Sequence, residues 1–166
     1  MMKVDFLSRN DISQFTSQKR FGIIDPKPAR IDEDEANAAT WIAKVNNPSG
    51  HKVKFLPVDQ AIKIEAAEGK PESTCEGILF YPHPDHSSIV FLELKEVRKG
   101  TSGAKGQLEN TIEIFADNHD LYAYKSRRAF IVNRKHPHFN YSRKTQCQEF
   151  WNKYRVRLFP QAEINL

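Results

Sequence analysis

The segment Ile89-Val90-Phe91-Leu92-Glu93-Leu94-Lys95 constrains this chain more than any other. Isoleucine, valine and phenylalanine favour strands, and a continuous apolar run leaves no face for water. The run therefore reads as a central strand rather than an edge. Side chains alternate faces along a strand, so Glu93 and Lys95 point one way and Leu94 the other. A carboxylate and an ammonium group thus sit side by side at the end of a buried, rigid element. Glu76 stands in front of a second apolar run, Gly77-Ile78-Leu79-Phe80-Tyr81. The linking Pro82-His83-Pro84-Asp85-His86-Ser87-Ser88 is rich in turn formers and predicts a hairpin between strands over 75–81 and 89–97.

The remaining elements follow from weaker patterns. Residues 1–30 show little periodicity and end in Asp25-Pro26-Lys27-Pro28, a breaker signal, so they read as an N-terminal extension. Residues 31–47 predict a helix, with Asp32, Glu33, Asp34 and Glu35 in its first turn and an apolar stripe of Ala38, Trp41, Ile42 and Val45. Alternation over 52–65 suggests strands, with Pro57 marking an edge, a bend or a break. Glu68-Gly69-Lys70-Pro71 reads as a turn and residues 99–103 as a flexible loop. Helices are predicted over 104–116 and 141–154, a strand over 128–133 and a short last strand near Val156–Phe159. The order predicts an α/β fold: a central mixed β-sheet flanked by helices, one domain over 31–166. The 104–116 helix would cross one face and the 31–47 helix would cover the other.

Charge is uneven. Residues 1–96 carry 12 Lys and Arg against 15 Asp and Glu, and residues 97–166 carry 13 against 6, giving balances of −3 and +7. A basic half that follows the candidate acids suits a polyanionic partner. No apolar run approaches the ~20 residues that cross a bilayer. The first ten residues lack the apolar core of a signal peptide, and a cytoplasmic chain is expected. Cys75 and Cys147 are too few and too far apart for a disulfide framework or a zinc ribbon. His83-Pro84-Asp85 lies between strands rather than between helices, as a co-chaperone signal would require. His83, Asp85 and His86, or His136 and His138, do not offer four zinc ligands at the usual spacing.

Two strands that each carry an acid, one followed by x-Lys, suit divalent-metal hydrolysis of a phosphodiester. Mg²⁺ (or Mn²⁺) takes oxygen ligands and commonly only one or two protein carboxylates. Glu76 and Glu93 are the candidate ligands. Asp59, which follows the apolar Val58 upstream, is a further candidate acid with a turn or cap role as its alternative, and it is left out of the site. Glu76, Glu93-Leu94-Lys95 and then a helix opening with Gln107-Leu108 together resemble the PD-(D/E)XK nuclease superfamily. The resemblance covers about residues 53–135 and departs at Glu76, where the family most often has Asp. It implies a restriction-endonuclease-like fold, with Glu76, Glu93, Lys95 and Gln107 as catalytic residues. Lys95 would orient a water or neutralise developing charge, and Gln107 would hydrogen-bond that water or the phosphate. Arg98, Lys99, Lys105, Arg127 and Arg128 are expected to contact nucleic acid, DNA before RNA, with Arg134, Lys135 and Arg143 adding basic charge. A homodimer would supply two sites for two strands. The alternatives are a catalytically inactive nuclease-like fold that binds nucleic acid or protein, and an interaction protein whose basic half meets an acidic partner.

Overall fold

The computed structural model describes residues 3–64, 73–95, 103–133 and 143–166. Along the chain the strands are β1 (Gln14–Thr16), β2 (Arg20–Ile24), β3 (Arg30–Asp32), β4 (Ala43–Asn46), β5 (Val53–Pro57), β6 (Gly77–Tyr81), β7 (Ser88–Lys95), β8 (Ser126–Asn133), β9 (Arg157–Phe159) and β10 (Glu163–Asn165). Helix α1 (Ala104–Asn118) joins β7 to β8, and α2 (Arg143–Tyr154) joins β8 to β9.

The fold is α/β. Its central mixed sheet has the order β1-β5-β6-β7-β8-β9. Neighbours are antiparallel from β1 to β7 and parallel from β7 to β9. The parallel step from β7 to β8 needs a crossover, and α1 supplies it. A second sheet, β10-β4-β2-β3, lies against the other face.

β7 is buried along its length until Lys95, because both of its faces are covered. Ile89 and Phe91 join a core with Leu108, Ile112 and Phe115 of α1 and Phe150 of α2. Val90, Leu92 and Leu94 join a second core with Phe21 and Ile23 of β2 and Val45 of β4. This two-sided burial is why the run is continuous rather than alternating. Each large side chain buried there contributes roughly 1.5–3 kcal/mol.

The predicted helix over 31–47 is corrected to β3, a short 3-10 turn over Glu35–Thr40, and β4. Asp34 caps that turn, its carboxylate accepting from the Ala36 N–H at 3.0 Å. Trp41 is not part of a helical stripe. Its ring lies on Gly22, and its indole N–H donates to Asp32 at 3.2 Å. Ala43 and Val45 face the core while Lys44 and Asn46 face outward, a period of two. The second face of the central sheet is therefore covered by a sheet and not by a helix. Residues 1–30 do not stand apart, since β1 extends the central sheet and β2 lies inside the second. Among the described residues no helix is long and apolar enough to cross a membrane.

Gly77 opens β6 directly after Glu76. A Cβ there would stand 2.4 Å from the Phe55 ring and 3.0 Å from the Leu56 carbonyl oxygen. Glycine is needed because the ring of the neighbouring strand lies over this backbone. Gly77→Ala is expected to cost about 1–3 kcal/mol by overpacking. Urea unfolding checks this: the midpoint should fall with the slope unchanged.

Candidate functional site

The pairing of β6 with β7 sets the site. Gly77 lies opposite Leu92, and the Glu76 N–H donates to the Leu92 carbonyl at 2.9 Å. The paired ladder ends there, and this bond holds Glu76 close enough to Glu93 for its charge to act on the Glu93 carboxyl. Phe91 packs against α1, so by alternation Glu93 and Lys95 project to the α1 side.

Helix α1 is tied to the segment that leads into Glu76 by three hydrogen bonds. The Cys75 N–H donates to Thr111 Oγ1 at 2.8 Å, Gln107 Nε2 to the Thr74 carbonyl at 3.2 Å, and Asn110 Nδ2 to the Ser73 carbonyl at 3.1 Å. Gln107 also accepts from Lys95 Nζ at 3.1 Å. Lys95 Nζ stands 3.7 Å from Glu93 Oε1, a charge contact longer than a hydrogen bond. Glu76, Glu93, Lys95 and Gln107 thus meet at one place, where the end of β7, the entry to β6 and the first turn of α1 converge.

The carboxylates carry an unmet electrostatic demand. Glu93 is fully buried and Glu76 is 6 % exposed. Among the described residues, both Glu93 oxygens and Glu76 Oε2 have no hydrogen-bond partner. Burial, and then the charge of Glu76, push the Glu93 carboxyl up to about 9 against the opposing pull of Lys95. Burial, Asp25 and Asp59 push Glu76 up to about 7, with Lys27 and Lys95 pulling it down. A buried carboxylate without a partner is costly unless a cation or a proton meets it.

Asp25 and Lys27, from the turn between β2 and β3, are therefore within electrostatic reach of the pair. Nothing in the sequence pointed to them, because Asp25-Pro26-Lys27-Pro28 reads as a breaker. Asp59 follows β5, its N–H donating to the Cys75 carbonyl at 3.2 Å. The sequence allows it a turn role, and it does sit in a turn, yet its charge also bears on both glutamates. Four carboxyl groups face two ammonium groups here, a formal surplus of two negative charges when all are ionised. One divalent cation would balance it.

The donor set fits such a cation. Its two carboxylates are hard oxygen donors that suit Mg²⁺ or Mn²⁺, while the neighbouring Cys75 thiol is pushed up by burial and by both glutamates and keeps its proton. Among the described residues no three of His, Cys, Asp and Glu are grouped closely enough to hold a metal by themselves. Water or substrate oxygens would complete the shell, as Mg²⁺ sites commonly require.

The residues expected to contact nucleic acid fare differently. Arg98, Lys99, Arg134 and Lys135 lie outside the described residues. Lys105 is on the first turn of α1, but two positions from Gln107, so the two side chains diverge. It faces Glu109 at 3.9 Å. Arg127 and Arg128 do not flank the site. The parallel register sets them beside Ile89 and Val90, whereas Glu93 and Lys95 lie beside Ile131 and Asn133. At about 3.3 Å per residue that is a separation of roughly 10–20 Å along the strand. An open cleft of about 690 Å³, lined by Lys3, Asp5, Asn118 and His119 among others, is at the far end of α1 and includes none of the candidate residues.

Comparison with protein-family models, curated proteins and solved structures found no match.

The raised carboxyls make stability depend on pH. A carboxyl that holds its proton more tightly in the folded chain loses stability as pH rises from the unfolded pKa toward the folded one. Asp5, Asp11 and Asp32 are shifted the other way and finish titrating in acid. Between about pH 5 and about pH 9 the Tm of metal-free protein is expected to fall, and Glu93→Gln to flatten the fall. Mg²⁺ should raise Tm more at pH 8 than at pH 6, because the cation displaces protons. A wild-type Tm that is level or rising over this window would show Glu93 to be ionised throughout.

Proposed function

We propose that this chain is a metal-dependent nuclease, a phosphodiester hydrolase acting on DNA, with a restriction-endonuclease-like fold of the PD-(D/E)XK type. The observation that carries the reading is the pair of neighbouring carboxyls Glu76 and Glu93. It is buried and short of partners on three of its four oxygens, with Lys95 beside it. The element order supports the same reading. An acid enters one strand, Glu-x-Lys ends its antiparallel neighbour, and a helix with an early Gln follows.

Glu76 and Glu93 would hold Mg²⁺ or Mn²⁺. When bound, the cation supplies Lewis-acid polarisation of the scissile phosphate and lowers the pKa of a water. Lys95 is held by Gln107, which is anchored in turn on Thr74, so its ammonium is positioned before substrate arrives. From there it can orient the attacking water or offset charge gathering on the phosphate oxygens. Burial by the surrounding apolar residues strengthens each of these interactions.

A second reading has its own support. Glu76 stands where the family most often has Asp, and its longer side chain moves any bound cation. A catalytically inactive fold that still binds nucleic acid would show binding without cleavage.

With Mg²⁺ or Mn²⁺ the purified chain is expected to nick supercoiled plasmid, and EDTA to stop it. Glu93→Ala and Lys95→Ala should each slow cleavage by about 100-fold or more. Gln107→Ala, acting through the position of Lys95, should cost about 10–100-fold. Circular dichroism should remain that of wild type, since Glu93→Ala removes a buried polar group that lacks a hydrogen-bond partner among the described residues. Wild-type rates from Lys95→Ala, or cleavage indifferent to EDTA, would sink the mechanism.

A further inference from the structure

The end of the sheet away from Glu93 gathers arginines that the site does not use. Arg127 and Arg128 begin β8, Arg157 begins β9 opposite Arg128, and Arg155 follows α2. Among the described residues none of the four makes an ion pair with a carboxylate. Arg128 and Arg157 are directly opposed across parallel strands, a like-charge pairing that destabilises a sheet.

These side chains are held by backbone carbonyls and by rings. Arg127 donates to the Tyr124 carbonyl at 2.7 Å and to the Arg155 carbonyl at 3.1 Å. Arg128 donates to the Asn165 carbonyl at 2.9 Å, while its Nε has no partner among the described residues. The Arg127 guanidinium lies 5.1 Å from the Tyr122 ring, and those of Arg155 and Arg157 lie 5.7 Å and 4.7 Å from the Trp151 ring. The hydrogen bond from Arg127 to Arg155 joins the two halves. The result is one connected run: Tyr122, Arg127, the Arg155 backbone and then its side chain, Trp151 and Arg157. Tyr122 is 61 % exposed and is backed by Arg127, so it has ring surface to offer solvent.

Arg155 sits at a φ of 57°, the left-handed conformation usual for glycine after a helix. Its N–H closes the helix end on the Trp151 carbonyl at 2.8 Å. The Arg155 guanidinium lies over the Trp151 ring.

We propose that this ladder is a binding surface for single-stranded nucleic acid, separate from the carboxylate pair. Guanidinium groups fixed by carbonyls and free of carboxylates suit phosphate, which they bind through paired N–H donors. Aromatic rings between them suit bases, and only a single strand offers its base faces for stacking. An acidic protein would satisfy the charge but would leave the rings unused. The inference does not depend on catalysis, and its test excludes metal.

The experiment is fluorescence anisotropy with a labelled 20-nucleotide oligo(dT) in EDTA, over a range of salt. Wild type should bind, with log affinity falling linearly against log salt. Arg155→Gln with Arg157→Gln should flatten that slope by about 1.4, at about 0.7 per phosphate contact on a single strand. Tyr122→Ala should weaken binding at least about fivefold. Oligo(dT) should quench tryptophan fluorescence, and Trp151→Phe should remove the quench, because Trp41 is buried. Arg9→Gln, at an arginine already paired with Asp11, should bind as wild type. The exposed Tyr122 keeps the test decisive if the double arginine variant does not fold. Unchanged binding by Tyr122→Ala and the arginine variant would overturn the proposal. So would equal affinity for a duplex of the same length, or binding to phosphatidylserine vesicles without binding to oligo(dT).

Discussion

Everything at the site depends on the register between β6 and β7. The side-chain period of a sheet is two, so a slip of one residue would send Glu93 to the other face and bring Leu94 in its place. The register is fixed by what lies on either side. Phe91 must meet α1, while Leu92 must meet the second sheet. Neither can be exchanged for the other without exposing apolar surface or burying the acid among Phe21 and Ile23. The same packing that makes β7 a good central strand also carries Glu93 into a dry place.

A buried carboxylate pair would relax if its backbone could move apart. The ties from Gln107, Asn110 and Thr111 to residues 73–75 resist this, because they hold the approach to Glu76 on the same helix that faces Glu93. The tension at the centre is thus opposed by polar contacts at its rim. The second sheet contributes from the other side. It covers Val90, Leu92 and Leu94, and the turn after β2 brings Asp25 and Lys27 into electrostatic range.

The hairpin of β6 and β7, α1, β8 and the Glu-x-Lys site were legible because each rests on local signals: continuous apolar runs, turn formers and a helical period. The second sheet was not. Ala38, Trp41, Ile42 and Val45 can be read at helical spacing, but Trp41 is held by Gly22 and Asp32, which are distant in sequence. β2 and β3 are short, and their partner β4 lies beyond an intervening turn, so their pairing has no local signature. Pro57 was informative: β5 ends there, although the strand lies inside the sheet. The place of Arg127 and Arg128 relative to Lys95 depends on topology rather than on local signals. The crossover through α1 returns the chain to the far end of the sheet before β8 begins.

That crossover and the closing strand β10 also set an order of assembly. β6 meets β7 through a short hairpin, which closes cheaply. β10 pairs with β4 by joining Glu163 to Lys44 and Asn165 to Asn46, positions 119 apart in the chain. Such a contact cannot reward the chain until the intervening sheet has largely condensed. The hairpin bearing the two glutamates therefore belongs to the early, locally driven part of folding, and β10, at the edge of the second sheet, to the late part.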